Sequence, residues 1–241
     1  MEAIYHRFFY EPRETLKEWL GIEKEAADVF DHQRWNDLRE VFLPFESMFQ
    51  IEDLARVYIR IGLHHYYISE NSQAAFWLNK VRQLITKSEH PGLYADCTFL
   101  LGNVHRIIDE YEAARDCCVD AQLIYHEIGN LQGEANCIRM LGDVHRMLAE
   151  YNAAHERYEE ARLLYHEVGD RLGEANCIKP LGDLHRMLDE YSAARERYME
   201  AQAIYHEIGD RLGEVNCIQA LGDVHRMLDE YSAARERYAE A

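Results

Sequence analysis

The sequence predicts an all-helical protein made of tandem helical hairpins that stack into a superhelix. The segment that begins at Leu181 recurs almost unchanged at Leu141 and Leu221, and more loosely at Leu101 and Ile61, always 40 residues apart. A fixed period of this length indicates one supersecondary unit copied along the chain, with each copy packing mainly on its neighbours. Arrays of this kind present an extended surface that suits binding rather than catalysis.

Two amphipathic helices account for each period. The first helix is predicted from apolar or small residues three or four positions apart, at Ala175, Ile178, Leu181, Gly182, His185 and Leu188. The second helix shows the same spacing at Ala194, Tyr198, Ala201, Ile204, Tyr205 and Ile208. Gly209 suits the left-handed residue that ends the second helix, and Asp210 can cap the helix that follows. The pair recurs as Gly129-Asn130 and Gly169-Asp170. Because these connections are short, consecutive helices are antiparallel.

Glycine recurs in the middle of the first helix, at Gly62, Gly102, Gly142, Gly182 and Gly222. Glycine inside a helix costs about 0.5–1 kcal/mol relative to alanine, so its repetition needs a structural reason. Alanine recurs twelve residues later on the second helix, at Ala74, Ala114, Ala154, Ala194 and Ala234. We therefore expect the backbones of the two helices to approach closely at these small residues.

Composition restricts the class of partner. The net charge of -18 disfavours nucleic acid and anionic membranes, and favours basic or polar peptides. No run of 18 apolar residues is present to span a membrane. Four of the six cysteines lie on the 40-residue grid, at Cys97, Cys137, Cys177 and Cys217. Equivalent positions of adjacent repeats are roughly 10 Å apart, which is too far for a disulfide. Reduced thiols and an amino terminus unlike a signal peptide predict a cytoplasmic protein.

These recurring positions resemble the tetratricopeptide repeat. In the repeat around Leu181 the matching residues are Leu181, Gly182, His185, Ala194, Tyr198 and Ala201. The resemblance covers about residues 52–241 and is closest to the 40-residue variety seen in kinesin light chains and spindle-orienting adaptor scaffolds. It implies a right-handed α-solenoid and a non-enzymatic scaffold that binds a protein or peptide in the concave groove formed by the first helices. The sequence departs from the family in having histidine where tyrosine is usual, at His65, His105, His145, His185 and His225.

The resemblance also suggests how the chain is divided. Residues 1–51 are predicted to form a degenerate capping region, with a hairpin indicated by Ala26, Phe30, Trp35 and Leu38. Residues 52–241 are predicted to form the array, with repeats at about 52–91, 92–131, 132–171, 172–211 and 212–241. Because the last repeat stops within its second helix, we expect a fragment of a longer protein. The segment EAIYHRFFYEPRETL resembles the lead into the sensor arms of STAND-class signalling ATPases.

The resemblance places the groove-facing side chains on the first helices. Carried over to this sequence, they are Asn136, Asn176 and Asn216; Arg139, Lys179 and Gln219; Asp143, Asp183 and Asp223; and Arg106, Arg146, Arg186 and Arg226. Asparagine can donate and accept hydrogen bonds along a peptide backbone, while aspartate and arginine can bind charged side chains. Alternatively, Asp143 and Arg146 are three residues apart and form only an exposed salt bridge.

Other residues that could carry chemistry fit packing better. The histidines recur one repeat apart, whereas zinc needs ligand nitrogens within about 2.1 Å of one ion. Cys118 occupies the position of an aromatic residue in later repeats and is interpreted as a core residue. No GxxxxGK[ST] phosphate loop is present, and we predict no catalytic residue, metal or cofactor. Pro180 lies within a first helix and predicts a local bend, because it cannot donate to the carbonyl of Asn176.

Two alternatives to the scaffold remain open. In the first alternative, the chain is the sensor arm of a STAND-type signalling ATPase whose nucleotide-binding domain is absent here. In the second alternative, it is a designed or recently duplicated array without a natural ligand. The near-identity of the last three repeats suggests the second of these.

Overall fold

The structure is a computed structural model that describes residues 2–8, 10–28 and 32–240. Within these ranges the chain is helical, with short turns and no strand. The α-helices are α1 (Glu2–Phe8), α2 (Pro12–Asp28), α3 (His32–Phe42), α4 (Ile51–Tyr67), α5 (Asn71–Leu84), α6 (Pro91–Ile107), α7 (Tyr111–Glu127), α8 (Leu131–Met147), α9 (Tyr151–Val168), α10 (Arg171–Met187), α11 (Tyr191–Ile208), α12 (Arg211–Met227) and α13 (Tyr231–Glu240). A 3-10 helix, Leu43–Met48, lies between α3 and α4. The predicted all-α fold of tandem hairpins is confirmed.

The chain divides into two compact units, which we call the first unit (Met1–Ile108) and the second unit (Asp109–Ala241). The division falls inside the predicted repeat 92–131, between α6 and α7. The boundaries proposed for the capping region and for the repeats therefore stay predictions. None of the described helices is both long and apolar enough to cross a lipid bilayer.

In the first unit, α1, α2 and α3 pack on one another, α4 packs on α5, and α5 packs on α6. Trp19 is fully buried, and its Nε1 donates to the carbonyl of Leu38 at 2.8 Å. Trp35 is also buried and stacks on His64 with ring centroids 3.6 Å apart. Of the residues predicted to form a degenerate hairpin, Trp35 and Leu38 contribute to this core on α3. Phe30 and the side chain of Ala26 lie outside the described residues.

In the second unit, each of the helices α7 to α13 packs on the next one along the chain. We call α8, α10 and α12 the first helices, and α9, α11 and α13 the second helices, of three hairpins. The core around α9 is formed by Ala135, Ile138, Ala154, Tyr158, Ala161, Tyr165, Cys177, Leu181 and Leu184. These residues come from α8, α9 and α10, so α9 joins its own hairpin to the one that follows.

The predicted joints between hairpins are confirmed. Gly169 and Gly209 both have φ of 75°, a left-handed conformation that is costly for any residue with a Cβ atom. Asp170 and Asp210 then cap α10 and α12, each accepting a hydrogen bond from the amide three residues later, at 2.8 and 3.1 Å. Asn130 caps α8 in the same way. Local sequence therefore sets where each first helix begins.

The recurring glycine of the first helix makes room for an aromatic ring. A Cβ atom built on Gly182 would lie 2.7 Å from the Cε1 atom of Tyr198, and the other two hairpins of the second unit show the same contact. In the first unit, a Cβ atom on Gly62 would meet the side chain of Leu78 at 2.8 Å and the carbonyl oxygen of Ala74 at 3.4 Å. The glycine therefore makes room mainly for a large side chain of the second helix. The sequence had suggested close contact with the backbone at the recurring alanine.

Pro180 lies inside α10, which continues from Arg171 to Met187. The proline therefore does not end the helix. The bend predicted at this position stays a prediction.

Candidate peptide-binding face

The predicted binding residues of the second unit lie on its three first helices and recur in the same register. We call them the first-helix face, which comprises Asn136, Arg139, Asp143 and Arg146 on α8, Asn176, Lys179, Asp183 and Arg186 on α10, and Asn216, Gln219, Asp223 and Arg226 on α12. Those on α8 and α10 are all half-buried, whereas on α12 only Asp223 is. They are interspersed with fully buried residues such as Cys177, Ile178 and Leu181, which anchor the opposite side of each helix in the core.

Arg106, the remaining predicted residue, lies on α6 in the first unit. Its side chain is half-buried, and its Nε atom is buried without a hydrogen-bond partner in the part of the chain that the structure describes. We describe it separately from the first-helix face because it belongs to the other compact unit.

The aspartates on α8 and α10 are held by partners on two helices. Asp143 accepts a hydrogen bond from the hydroxyl of Tyr158 on α9 at 2.8 Å, and its other oxygen lies 3.5 Å from Arg139. On α10 the corresponding Asp183 accepts from a tyrosine hydroxyl at 2.8 Å and from Lys179 at 2.8 Å. Only 16% of each aspartate side chain is exposed, so both oxygens are engaged within the hairpin.

The corresponding aspartate of α12 differs. Asp223 accepts from the hydroxyl of Tyr238 at 2.7 Å, but Gln219 replaces the cation four residues before it. Its nearest cationic group is Arg226 at 3.7 Å, and 45% of its side chain is exposed. The exposed pair three residues apart that the sequence suggested for Asp143 and Arg146 therefore occurs on α12. On α8 the partner of Asp143 is Arg139.

Burial and neighbouring charges shift the pKa values of side chains on and behind this face. Burial and the Asp143 carboxylate raise the pKa of Tyr158 well above its ordinary value, so its hydroxyl stays a donor at neutral pH. Burial raises the pKa of Tyr165 to about 12, against an opposing effect of the Arg139 guanidinium. Burial alone would lower the pKa of Arg139, but the Asp143 carboxylate and the phenol of Tyr165 raise it above its usual range.

The asparagines are oriented by a second set of tyrosines. The hydroxyl of Tyr165 donates to Oδ1 of Asn136 at 2.7 Å, and the hydroxyl of Tyr205 donates to Oδ1 of Asn176 at 2.8 Å. Asn216 is exposed and makes no such bond within residues 32–240. The recurrence of asparagine in these helices therefore has a packing role on α8 and α10, which the sequence did not reveal.

The tyrosine hydroxyls and a histidine–glutamate contact are the elements that sequence reasoning missed. His145, His185 and His225 place Nδ1 within 2.5–2.6 Å of the glutamate five residues later, across the turn between the two helices of a hairpin. The signal was present, because each histidine, glutamate and tyrosine recurs on the same 40-residue grid. No group of three or more histidine, cysteine or acidic side chains among the described residues could hold a metal ion.

Stacked hairpins with repeated caps and a repeated glycine–ring contact define an α-solenoid repeat protein. The sequence profile described as tetratricopeptide repeat matches residues 94–167 and 174–241. The chain therefore belongs to the tetratricopeptide repeat family, and the resemblance seen in the sequence is confirmed. No curated protein sequence matches it.

Solved structures share the fold at low sequence identity. A Rap protein complexed with competence and sporulation factor matches with a TM-score of 0.75 and 14% identity, over 99% of this chain and 69% of that chain. A STAND signal transduction ATPase with a tetratricopeptide repeat sensor, from Pyrococcus horikoshii, matches with a TM-score of 0.79 and 15% identity. This match covers 98% of this chain and 37% of that chain. A putative kinesin light chain from Podosopora anserina with nearly identical TPR-like repeats matches with a TM-score of 0.61 and 12% identity. This match covers 76% of this chain and 91% of that chain. At these identities the similarity concerns the fold alone.

Proposed function

We propose that this chain is a non-enzymatic scaffold whose first-helix face binds a peptide or a segment of a partner protein. The observation that carries the proposal is the recurrence of polar side chains in one register on α8, α10 and α12. The asparagines and aspartates of α8 and α10 are held in place by tyrosine hydroxyls. Folds of this family generally serve as interaction modules, and the structurally similar Rap protein is described as complexed with a factor. An extended ligand would contact successive helices through equivalent groups.

Preorganisation supports binding on this face. Asn136, Asn176, Asp143 and Asp183 are each fixed by a tyrosine hydroxyl, so little side-chain entropy remains to be lost when a ligand binds. A rigid row of weak contacts can reach useful affinity because the contacts form together. The side chains thus have both a structural and a recognition role.

The remaining assignments are also proposals. We propose that residues 1–51 cap the array formed by residues 52–241. The six cysteines are free thiols, which supports a cytoplasmic location, and the charge of -18 supports partners other than nucleic acid or membranes.

The test uses residues whose loss leaves the fold intact. Asn216 and Gln219 are exposed on the first-helix face, whereas Ser192 and Ser232 are exposed on second helices. We expect Asn216→Ala with Gln219→Ala to reduce recovery of a partner in an affinity pull-down followed by mass spectrometry. The control, Ser192→Ala with Ser232→Ala, should recover the partner as the unaltered chain does. Equal recovery by both double variants would refute the proposed face.

A second candidate is a sensor arm of a STAND-type signalling ATPase. It is favoured by the match to the Pyrococcus horikoshii protein, which covers 98% of this chain but 37% of that one. The phosphate loop such an enzyme needs would have to be encoded upstream of Met1. Reading the adjoining DNA tests this directly, because an in-frame phosphate-loop domain supports the sensor arm and a separate upstream gene counts against it.

A further inference from the structure

A row of exposed apolar side chains crosses three helices of the second unit, on the side that faces away from the core. We call it the outer row, which comprises Val119 and Leu123 on α7, Leu163 on α9 and Met199 on α11, with exposed fractions of 43%, 55%, 62% and 51%. Leu163 lies two residues from both Ala161 and Tyr165, which are buried, so it points about 200° away from each around the helix. An exposed apolar patch rimmed by polar residues is typical of a protein-interaction site.

The row is continuous because the helices that carry it are neighbours. Nη2 of Arg197 on α11 lies 3.3 Å from Oε1 of Glu159 on α9, so these two helices are joined directly. Leu123 and Leu163 occupy the same position of successive repeats, and Val119 and Met199 share the position four residues earlier. Since equivalent positions of adjacent repeats lie roughly 10 Å apart, the row extends over roughly 20 Å from α7 to α11.

The charges around the outer row are mainly negative. The helices α7, α9 and α11 carry eleven acidic and five basic side chains, a net charge of -6 with neutral histidine. By contrast, α8, α10 and α12 carry six acidic and seven basic side chains. Four of the five arginines of α7, α9 and α11 pair with glutamates, and Arg195 forms no ion pair in the described chain. The exposed carboxylates that form no ion pair with any described residue are Asp116, Glu127, Glu156, Glu167 and Glu196.

This combination of apolar and acidic groups determines the kind of partner. A second copy of this chain would bring the same carboxylates against the row, and an anionic membrane would be repelled by them. A segment with apolar side chains flanked by lysine or arginine complements both parts of the surface.

The spacing of the row favours a helical segment. Seven residues of α-helix advance about 10.5 Å and bring the side chain back to nearly the same face, which matches the distance between repeats. Three residues of extended chain advance about 10 Å, but successive side chains alternate between two sides. Every second anchor of an extended segment would therefore point away from the row.

We infer that the outer row binds a basic amphipathic helix of a partner protein. Apolar side chains seven residues apart on that helix would contact Leu123 and Leu163, and a third would lie beside Met199. Its lysine and arginine side chains would pair with the surrounding carboxylates. This surface is distinct from the first-helix face, so the inference goes beyond the proposed function and does not depend on it.

The experiment uses three labelled 18-residue peptides and the full chain. The lysine helix has leucine at positions 2, 5, 9, 12 and 16 and lysine or alanine elsewhere. The glutamate helix has glutamate in place of each lysine, and the scrambled peptide has the composition of the lysine helix without its apolar stripe. Fluorescence anisotropy should show the lysine helix binding at least about tenfold tighter than either of the other peptides.

Two double variants test the apolar contacts. Leu123→Ser with Leu163→Ser should weaken the lysine helix at least about tenfold, because both anchors lose their apolar contact. The matched control is Leu172→Ser with Leu212→Ser, which changes leucines that are 44% and 73% exposed on α10 and α12. This control should change affinity less than about twofold.

A second pair of variants tests the charges. Glu156→Gln with Glu167→Gln should weaken the lysine helix at least about threefold, because two exposed ion pairs with the peptide are lost. The matched control is Asp189→Asn with Asp229→Asn, which removes two charges at exposed turns outside the outer row. Both turn residues have φ of 61°, a conformation that asparagine also adopts, so the control keeps its fold. It should change affinity less than about twofold.

Several results would overturn the inference. Equal binding of the scrambled peptide or the glutamate helix would remove the requirement for a basic amphipathic helix, and absence of binding by all three peptides would do the same. Equal loss in the two leucine variants would place the peptide elsewhere. If sedimentation of the chain alone shows dimers that Leu123→Ser with Leu163→Ser dissociates, the row holds a second copy and the inference is wrong. Should that variant lose its helical circular dichroism, the glutamate variant and the peptide comparison on the unaltered chain decide.

Discussion

Substitution of Gly182 by alanine should destabilise the second unit although alanine is the better helix former. A Cβ atom at this position would lie 2.7 Å from Cε1 and 2.8 Å from Cδ1 of Tyr198, well short of the 3.4 Å at which ordinary contact begins. The ring cannot move aside easily, because Tyr198 is fully buried and its hydroxyl is bonded to Asp183 at 2.8 Å. Overpacking of this kind costs about 1–3 kcal/mol.

The matched control is Gly21→Ala in α2, where a Cβ atom would meet nothing within 4 Å. Both variants gain about 0.5–1 kcal/mol of helix propensity, so the difference between them isolates the contact with the ring. We expect Gly21→Ala to raise the free energy of unfolding by about 0.5–1 kcal/mol. The free energy of unfolding of the Gly182→Ala variant should lie about 1–3 kcal/mol below that of the Gly21→Ala variant. Urea denaturation followed by circular dichroism measures both values.

A third variant identifies the ring as the cause. Cys118 occupies the position on α7 that Tyr198 occupies on α11, so cysteine is a residue that this chain already uses there. In a Tyr198→Cys background, Gly182→Ala should become neutral or stabilising, because the obstacle has been removed. Equal destabilisation by Gly182→Ala with tyrosine or cysteine at position 198 would refute the packing argument.

Three further predictions concern groups behind the first-helix face. Asn176→Ala should lower the free energy of unfolding by about 1–2 kcal/mol, because the hydroxyl of Tyr205 loses its acceptor. Asn216 is exposed, so Asn216→Ala should change this free energy by less than about 0.5 kcal/mol in the same urea titration. Burial raises the pKa of Cys177 to about 12, so this thiol should not react with Ellman's reagent at pH 8 until urea unfolds the chain. Rapid labelling of Cys177 in the native chain would contradict this prediction. Burial raises the pKa of Tyr165 to about 12 from 10.0, so its contribution to stability is complete below pH 10 and is lost as the pH rises towards 12; Tyr165→Phe should flatten that part of the stability profile.

The sequence contained enough information for the fold but only part of the site. The 40-residue period, the left-handed Gly209 and the cap by Asp210 all follow from local chemistry, and the structure confirms each of them. The partner of Gly182 could not be read in this way, because the direction of the Tyr198 ring depends on packing between helices. The glycine and alanine columns were both visible in the sequence, but the sequence could not show that a tyrosine ring fills the space beside Gly182.

The same limit applies to the first-helix face. Periodicity placed Asn176 and Asp183 on one side of α10, but it could not show that tyrosine hydroxyls occupy their acceptors. Hydroxyl contacts depend on side-chain rotamers and on how two helices are spaced. The hydrogen-bonding groups that remain available to a ligand are therefore a property of the assembled hairpins.

The joint between hairpins has a consequence for how the gene can change. A left-handed glycine, a capping carboxylate and the amide that it binds span only five residues, from Gly209 to Gly213, and the same set occurs at Gly169 to Gly173. Unequal recombination between two such stretches, at any point in them, adds or deletes one whole period and regenerates an intact joint. Recombination alone can therefore lengthen or shorten the first-helix face, and every intermediate chain keeps an intact cap at the start of each first helix.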